Sequence, residues 1–171
     1  MIEFEGDFEL DMPPEELWPY FTDPDVIADC APGMKELKLN SPSDLEAVMS
    51  VKVGSVSPTF DVEVTVVEAT KPSTLRMSAV GNASRNAFET AAHMDLQPTD
   101  EGGTLATWTA SAEVSGLIAS LGQRALGGVT TRLVNNFFDD LQSAAEEGEP
   151  AESKMQGAED AEPVVEVDAG E

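Results

Sequence analysis

Seven segments of the chain alternate apolar with polar residues, and this period of two constrains the fold more than any other feature. In the first segment, residues 2–10, the even positions are apolar or glycine and the odd positions are all acidic. This pattern is typical of a strand with one buried and one solvated face. Six more such segments lie between Met34 and Val114, separated by short turns such as residues 40–43. Short connections between period-two segments predict an antiparallel meander.

Helical patterns occur at three places. Pro14 begins a short helix with Glu15 and Glu16 in its first turn, since proline loses no hydrogen bond there and carboxylates meet the positive end of the helix dipole. A second short helix is predicted over residues 25–31. From 117 to 145 apolar residues recur every three or four positions, which predicts one long helix.

This order of elements predicts an α+β fold. We expect a seven-stranded antiparallel sheet that curves around the long C-terminal helix, with two short helices after the first strand. Residues 1–145 would form this domain.

The charge of the chain is strongly negative. Thirty-three Asp and Glu residues against nine Lys and Arg give a formal charge of −24. Nucleic-acid binding is not expected, because phosphate neutralisation needs clustered basic side chains. The even spread of acidic residues favours the solvated surface of a halophilic protein, where salt screens self-repulsion, while a specific basic partner is the alternative.

The sequence lacks the residue types that several classes of function require. One cysteine, Cys30, and one histidine, His93, leave almost nothing for a soft-ligand metal site, and we expect no metal and no cofactor. The N-terminus has no basic region followed by an apolar block, and no apolar run reaches the ~18–20 residues of a spanning helix. We therefore expect a cytoplasmic protein without a transmembrane segment.

The composition changes after Ala145. Residues 146–171 contain ten acidic residues, one basic residue and no aromatic residue. Such a segment buries too little apolar area to offset the entropy lost on ordering, so we expect an acidic disordered tail. Without it, 23 acidic and 8 basic residues leave residues 1–145 with a charge of −15.

The inward-facing residues differ widely in size. Alanines alternate with methionines and aromatic residues on the strands, and three glycines interrupt the facing helix. This mixture suits a cavity that adapts to an apolar guest, although a filled core with close helix–sheet contact explains the pattern equally simply. The residues expected to line a cavity are Met49, Val51, Phe60, Met77, Phe88, Met94, Trp108, Leu121, Ala125 and Val129.

Catalytic residues are not apparent. His93 shares its strand parity with Glu89 and Asp95, so we expect it on the solvent face. Neighbouring acids should raise the thiol pKa of Cys30, which favours a small buried hydrophobe over a nucleophile. The acidic residues around Asp23 match no calcium loop, and helix capping explains them better.

Three parts of the chain carry a family resemblance. They are Asp23-Pro24-Asp25-Val26 with Cys30-Ala31-Pro32-Gly33-Met34, Val51-Lys52-Val53-Gly54-Ser55-Val56, and Gly122-Gln123-Arg124-Ala125-Leu126 with Phe137-Phe138. Together they resemble the carbon monoxide dehydrogenase G-subunit family, over residues 2–145. That family belongs to the START/polyketide-cyclase-like (SRPBCC) superfamily, which has the helix-grip fold.

The resemblance implies a non-catalytic accessory protein with an internal cavity. It implies association with a molybdenum-containing dehydrogenase, in maturation or in recruitment to the membrane and its electron acceptors. The acidic tail differs from the apolar extensions of some members, so at most indirect membrane association is expected. We expect a hydrophobic ligand, such as a lipid or a quinone-like molecule. The alternatives are a surface-acting assembly adaptor with a filled core, or a cyclase- or hydrolase-like enzyme of the same superfamily.

Overall fold

The computed structural model describes residues 2–52, 55 and 57–158 of the chain. They form one antiparallel sheet, two short helices and one long C-terminal helix, as the sequence predicts. The elements in chain order are β1 (Ile2–Leu10), α1 (Pro14–Phe21), α2 (Pro24–Cys30), β2 (Met34–Ser41), β3 (Asp44–Ser50), β4 (Thr59–Thr70), β5 (Thr74–Ala83), β6 (Asn86–Pro98), β7 (Thr104–Gly116), a 3₁₀ helix (Leu117–Leu121) and α3 (Gly122–Glu146).

The order of strands in the sheet explains the position of the two short helices. The strands lie in the order β1-β7-β6-β5-β4-β3-β2, and all neighbours are antiparallel. β1 and β2 follow each other in the chain but occupy opposite edges, so α1 and α2 connect the edges. α2 contacts both β2 and α3. The curved sheet around one long helix confirms the predicted α+β helix-grip arrangement.

Local chemistry sets the starts of the short helices. Pro14 stands in the first turn of α1 after an extended Pro13, with Glu15 and Glu16 beside it. At α2, Asp23 is the N-cap, and its carboxylate accepts a hydrogen bond from the backbone N–H of Asp25 at 2.9 Å. This satisfies one of the four free N–H groups of a helix start.

The long helix differs from the prediction in two ways. Residues 117–121 form a 3₁₀ helix, and α3 begins at Gly122, whose φ of +84° interrupts the helical backbone between the two. The face that packs on the domain shares only Leu126, Phe138 and Leu141 with the predicted apolar stripe. The buried residues of α3 are Leu126, Phe138, Leu141, Ala144 and Ala145. At about 100° per residue, a step of four drifts by about 40°, so the predicted positions 125 to 141 cannot share one face.

Two apolar clusters make up the core. The main cluster joins α1, the C-terminal half of α3 and the sheet, and includes Leu17, Phe21, Val66 and Leu141. The second cluster is smaller and consists of Ala47, Phe60, Val62 and Ile118 with their partly buried neighbours. The 3₁₀ helix therefore packs on the second cluster through Ile118, while α3 packs on the first through its C-terminal half.

The third strand is shorter than its sequence pattern. The alternation continues to Val53, but β3 ends at Ser50, and Val51 and Lys52 have no regular structure. Val53, the last residue of the alternation, and Gly54 and Val56 of the turn predicted over 54–58 lie outside the described residues.

Residues 149–158 pack on the domain, in contrast to the disordered tail expected over 146–171. Met155 is 4% exposed and belongs to the main core cluster. The backbone N–H groups of Lys154 and Gln156 donate to the carbonyls of Thr22 and Pro42. The acidic composition did not predict this docking, because the contacts are made by backbone groups and by one methionine. Residues 159–171 of the predicted tail lie outside the described residues.

Candidate functional site: an apolar cavity

A cavity of about 290 Å³ lies between the sheet and the C-terminal part of α3. Three strands and all three α-helices contribute to its wall, which is almost wholly apolar. The residues that border it are Phe21, Ile27, Leu75, Met77, Ala92, His93, Met94, Trp108, Thr109, Ala110, Thr130, Val134, Phe137 and Phe138.

The sheet side of the cavity consists of two rows of side chains across β5, β6 and β7. In the first row, Met94 pairs with Leu75 on one side and with Trp108 on the other. In the second row, Ala92 lies between Met77 and Ala110. The paired alanines contribute little volume, which leaves space at this row, and Ala92 is exposed to solvent. A row of large side chains next to a row with two alanines thus leaves a space, whereas two rows of large side chains would fill it.

The Trp108 ring lies over a glycine of the edge strand. Gly6 is the register partner of Trp108, and a Cβ atom added at Gly6 would lie 2.9 Å from the indole ring. A side chain at this position would therefore displace the ring. Gly6 lets the indole lie flat against β1, where it forms one end of the cavity wall.

Aromatic stacking fixes the helix side of the cavity. The Phe138 ring stacks on Phe8 of β1 at a centroid distance of 5.1 Å and meets Phe21 of α1 edge-on at 5.9 Å. Phe137 lies 6.2 Å from Phe21. Such pairs contribute about 0.5–1.5 kcal/mol each beyond the buried area. The helix is therefore anchored at its C-terminal half, next to the cavity.

Ionisable side chains are scarce at this site. His93 and Thr109 have the outward strand parity, and His93 Nε2 lies 3.2 Å from Asp95 Oδ1, with its side chain 45% exposed. The predicted position of His93 on the solvent face is confirmed. Apart from His93, none of the bordering side chains is ionisable, and Thr130 brings one hydroxyl from α3. What this wall can do chemically is remove apolar surface from water.

Cys30 lies outside the cavity, at the end of α2. Burial raises the pKa of its thiol to about 11, and Asp140, Asp29 and Glu149 contribute to this rise by their negative charges. The expected upward shift of this pKa is thereby confirmed. Because the thiolate is the nucleophilic form, Cys30 is a poor nucleophile at neutral pH.

The ten residues expected to line a cavity lie in three places. Met77, Met94 and Trp108 border the apolar cavity. Met49, Val51, Phe60 and Phe88 belong to the second cluster, where the Phe60 and Phe88 rings meet edge-on at 5.0 Å. Leu121 ends the 3₁₀ helix, while Ala125, which is exposed, and Val129, which is partly buried, lie in the first half of α3.

The sequence pattern did not point to six of the residues that border the site, which are Phe21, Ile27, Leu75, Val134, Phe137 and Phe138. A signal was present for two of them. Phe137 and Phe138 are adjacent aromatic residues late in the helix, and large rings bury more area than Leu121 or Ala125 can. No comparable signal existed for Ile27, because its place at the cavity depends on how α2 crosses between β2 and α3.

A model of the CoxG family, the G subunit of carbon monoxide dehydrogenase, matches residues 6–146. The chain belongs to this family. No curated protein matches the chain. Residues 149–158, which pack on the domain, lie beyond the matched region.

Solved structures with the same fold include proteins of different kinds. A conserved protein from Geobacillus kaustophilus is 29% identical, with 85% of this chain and 96% of that chain covered and a TM-score of 0.81. The Zhui aromatase/cyclase from Streptomyces is 13% identical, with 84% and 93% covered and a TM-score of 0.63. A protein from Thermus thermophilus is 12% identical, with 86% and 99% covered and a TM-score of 0.64. At 13% and 12% identity, the last two establish the fold alone.

Neither a membrane-spanning helix nor a metal-binding cluster is found among residues 2–52, 55 and 57–158. Within these residues no helix is long and apolar enough to cross a membrane. Over the same part of the chain, no three His, Cys, Asp or Glu side chains come together in a way that could hold a metal ion.

Proposed function

We propose that this chain is a non-catalytic accessory protein that binds a lipophilic small molecule in the apolar cavity. The observation that carries the proposal is the wall itself, in which Leu75, Met94, Trp108 and Phe137 surround a space of about 290 Å³. Apolar ligand area removed from water is worth roughly 25 cal/mol per Å². A charged ligand group would find no counter-charge among these four side chains, so the guest is uncharged where it contacts them.

The volume and the side-chain types narrow the guest further. Ligand cavities commonly measure about 300–1,000 Å³, so this one takes a small molecule or one end of a longer one. Met77 and Met94 are flexible and adapt to different shapes, and the Trp108 and Phe137 rings offer flat faces. A lipid or a quinone-like molecule has the required apolar character.

The proposed partner is a molybdenum-containing dehydrogenase of the carbon monoxide dehydrogenase type. Membership in the CoxG family supports this partner, and the role would be maturation of that enzyme or its recruitment to a membrane and an electron acceptor. The proposal places the chain in the cytoplasm, with any membrane association indirect.

Native mass spectrometry of the purified full chain, followed by organic extraction, tests the cavity proposal. The expected result is a bound species that extraction releases, or saturable uptake of the neutral fluorescent probe N-phenylnaphthylamine by the empty protein. A protein that is empty as purified and takes up no probe would show that the cavity has no ligand function.

An adaptor that acts through its surface is the second candidate, favoured by the family's description as one component of a larger enzyme. Pull-down of the partner dehydrogenase at high salt separates the two functions. The cavity proposal expects Ala110→Leu, which narrows the cavity floor, to impair function. An adaptor would tolerate Ala110→Leu and lose its partner when exposed residues such as Ser55 or Ser57 are changed.

An enzyme of the cyclase type is a third candidate, because one protein of the same fold is an aromatase/cyclase. Such chemistry needs positioned acid–base groups, and the polar side chains that border the cavity are the hydroxyls of Thr109 and Thr130 and the outward-facing His93. We propose that the chain is not an enzyme.

A further inference from the structure

Residues 149–158 cross the surface as an extended segment, which we call the C-terminal strap. Every second residue in its central part donates a main-chain hydrogen bond to the domain. The N–H of Glu152 donates to Asp23 Oδ2 at 2.9 Å, the N–H of Lys154 to the Thr22 carbonyl at 2.9 Å, and the N–H of Gln156 to the Pro42 carbonyl at 2.7 Å. The strap thus connects the junction of α1 and α2 with the turn between β2 and β3.

The junction between α1 and α2 is built to hold the strap. Asp23 is 5% exposed and uses both carboxylate oxygens, one to cap α2 and one to accept the strap N–H. Thr22 is fully buried, and its hydroxyl bonds both the Trp18 carbonyl and the Ser153 hydroxyl at 2.8 Å. A buried polar group that loses its hydrogen-bond partner destabilises the fold, so removal of the strap would leave Thr22 and Asp23 unfavourably unpaired.

Two strap residues fit the surface closely. The Met155 side chain is 4% exposed within the main core cluster. Gly157 lies against β4, where an added Cβ atom would be 2.7 Å from the Cα of Glu68 and 2.9 Å from the carbonyl oxygen of Val67. Any side chain at 157 would therefore collide with backbone. Methionine at 155 and glycine at 157 are specific requirements of this contact.

The strap is attached to the part of the fold that forms one wall of the cavity. Phe21, the residue before Thr22, borders the cavity, and so does Ile27 in α2, which Asp23 caps. The strand side of the cavity, in contrast, belongs to the continuous ladder of β5, β6 and β7. A displacement of α1 and α2 would therefore leave the sheet ladder intact, although it would shift Phe21 relative to Phe138.

We propose that the C-terminal strap holds α1 and α2 closed over the apolar cavity, and that its release speeds the entry and exit of the guest. This inference rests on the proposed ligand-binding function. Where helices partly cover a site, the rate at which they open can limit how fast a guest leaves it. The strap would regulate exchange while the cavity wall sets affinity.

The test compares three full-length variants with the wild type. Met155→Asp places a carboxylate in the core cluster, and Gly157→Val collides with β4, so both undock the strap. Gln156→Ala is the matched control, because the side chain of Gln156 is exposed and its bonding N–H remains. Hydrogen exchange measures the strap and α2 without any guest, and stopped-flow fluorescence measures release of N-phenylnaphthylamine.

We expect the amides of Glu152, Lys154 and Gln156 to exchange faster in both strap variants, together with the α2 amide of Ile27. Probe release should become at least tenfold faster, with a smaller change in Kd because entry accelerates as well. The Gln156→Ala variant should match the wild type in both measurements.

Undocked strap amides with wild-type release rates would overturn the strap proposal and leave ligand binding intact. A strap that only stabilises the fold would lower the unfolding midpoint without changing the release rate, which also contradicts the proposal. A wild-type protein that takes up no probe would overturn the proposed function and this inference together.

Discussion

Ala110→Leu is the substitution that most directly fills the cavity. Ala110 lies on the inward face of β7, in the row with Ala92 and Met77, and borders the space of about 290 Å³. Leucine adds three carbon atoms where the wild type leaves room, so the fold should tolerate it. Each methylene of guest contact is worth about 0.8 kcal/mol. Displacing two or three methylene equivalents weakens binding by about 1.6–2.4 kcal/mol, or roughly fifteen- to sixtyfold in Kd.

Fluorescence titration with N-phenylnaphthylamine measures this change. The matched control is Ala112→Leu, two residues further along the same strand and on the same face, where the register partners are Ile2 and Thr90 and the cavity is not adjacent. We expect a near wild-type Kd for the control. An unchanged Kd in a folded Ala110→Leu variant, or an equal loss in both variants, would refute the assignment of the site.

Three other changes test separate parts of the account. Asp23→Asn keeps an oxygen that can cap α2 but loses an acceptor for the strap, so we expect about 1–2 kcal/mol of destabilisation, against about 2–3 kcal/mol for Asp23→Ala, in urea unfolding; equal losses would show that the cap contributes nothing measurable and would contradict its assignment. His93→Ala should leave probe affinity unchanged, because His93 bonds Asp95 on the outer face; a tenfold weaker Kd would place the ring in the site. Burial and neighbouring acids raise the Cys30 pKa from 9.0 to about 11. The folded protein therefore keeps its thiol proton where the unfolded chain loses it, and stability should fall as pH rises from about 9 to 11; a wild-type profile no steeper in that window than the profile of Cys30→Ala would contradict this pKa.

The sheet could be predicted from the sequence because strand patterns are local. Alternation such as Ile2 to Leu10 identifies a strand and its buried face without knowledge of its neighbours. Short turns then leave an antiparallel meander as the simplest arrangement. The order of strands 2 to 7 follows from sequence adjacency, whereas the pairing of β1 with β7 is a long-range contact that the sequence pattern did not predict.

The buried face of α3 could not be predicted in the same way. Ala125 and Phe137 belong to a stripe with a step of four, and that stripe turns around the helix as it proceeds. Gly122 and the 3₁₀ helix before it set the rotation of α3, and contacts such as Phe138 on Phe8 decide which side is buried. These are long-range contacts that no local period contains.

The sequence predicted an apolar cavity between sheet and helix, but it identified only three of the residues that border the observed one. Met77, Met94 and Trp108 lie in adjacent strands, and the inward parity was enough to select them. Met49 and Phe60 have the same parity but lie in the second cluster, where their neighbours fill the space. Parity gives the face of a sheet and not the position along it, so it cannot distinguish a filled region from an open one.

The C-terminal strap was missed because composition measures only what a segment can bury by itself. Residues 146–158 are acidic and contain no aromatic residue, yet Met155 and three backbone N–H groups are sufficient to dock the segment. The acceptors for these groups, Thr22, Asp23 and Pro42, are more than a hundred residues away in the chain. A docking surface of that kind becomes visible only once the fold is known.

Energy transfer from Trp108 to a bound apolar probe tests the central claim most directly. Trp18 is 2% exposed in the core, so a Trp18→Phe variant leaves Trp108, on the cavity wall, as the single tryptophan. We predict saturable transfer from Trp108 to N-phenylnaphthylamine, abolished by an excess of a non-fluorescent apolar competitor. A probe that binds this folded variant without quenching Trp108, or that does not bind at all, would contradict the claim that the space between sheet and helix receives the guest.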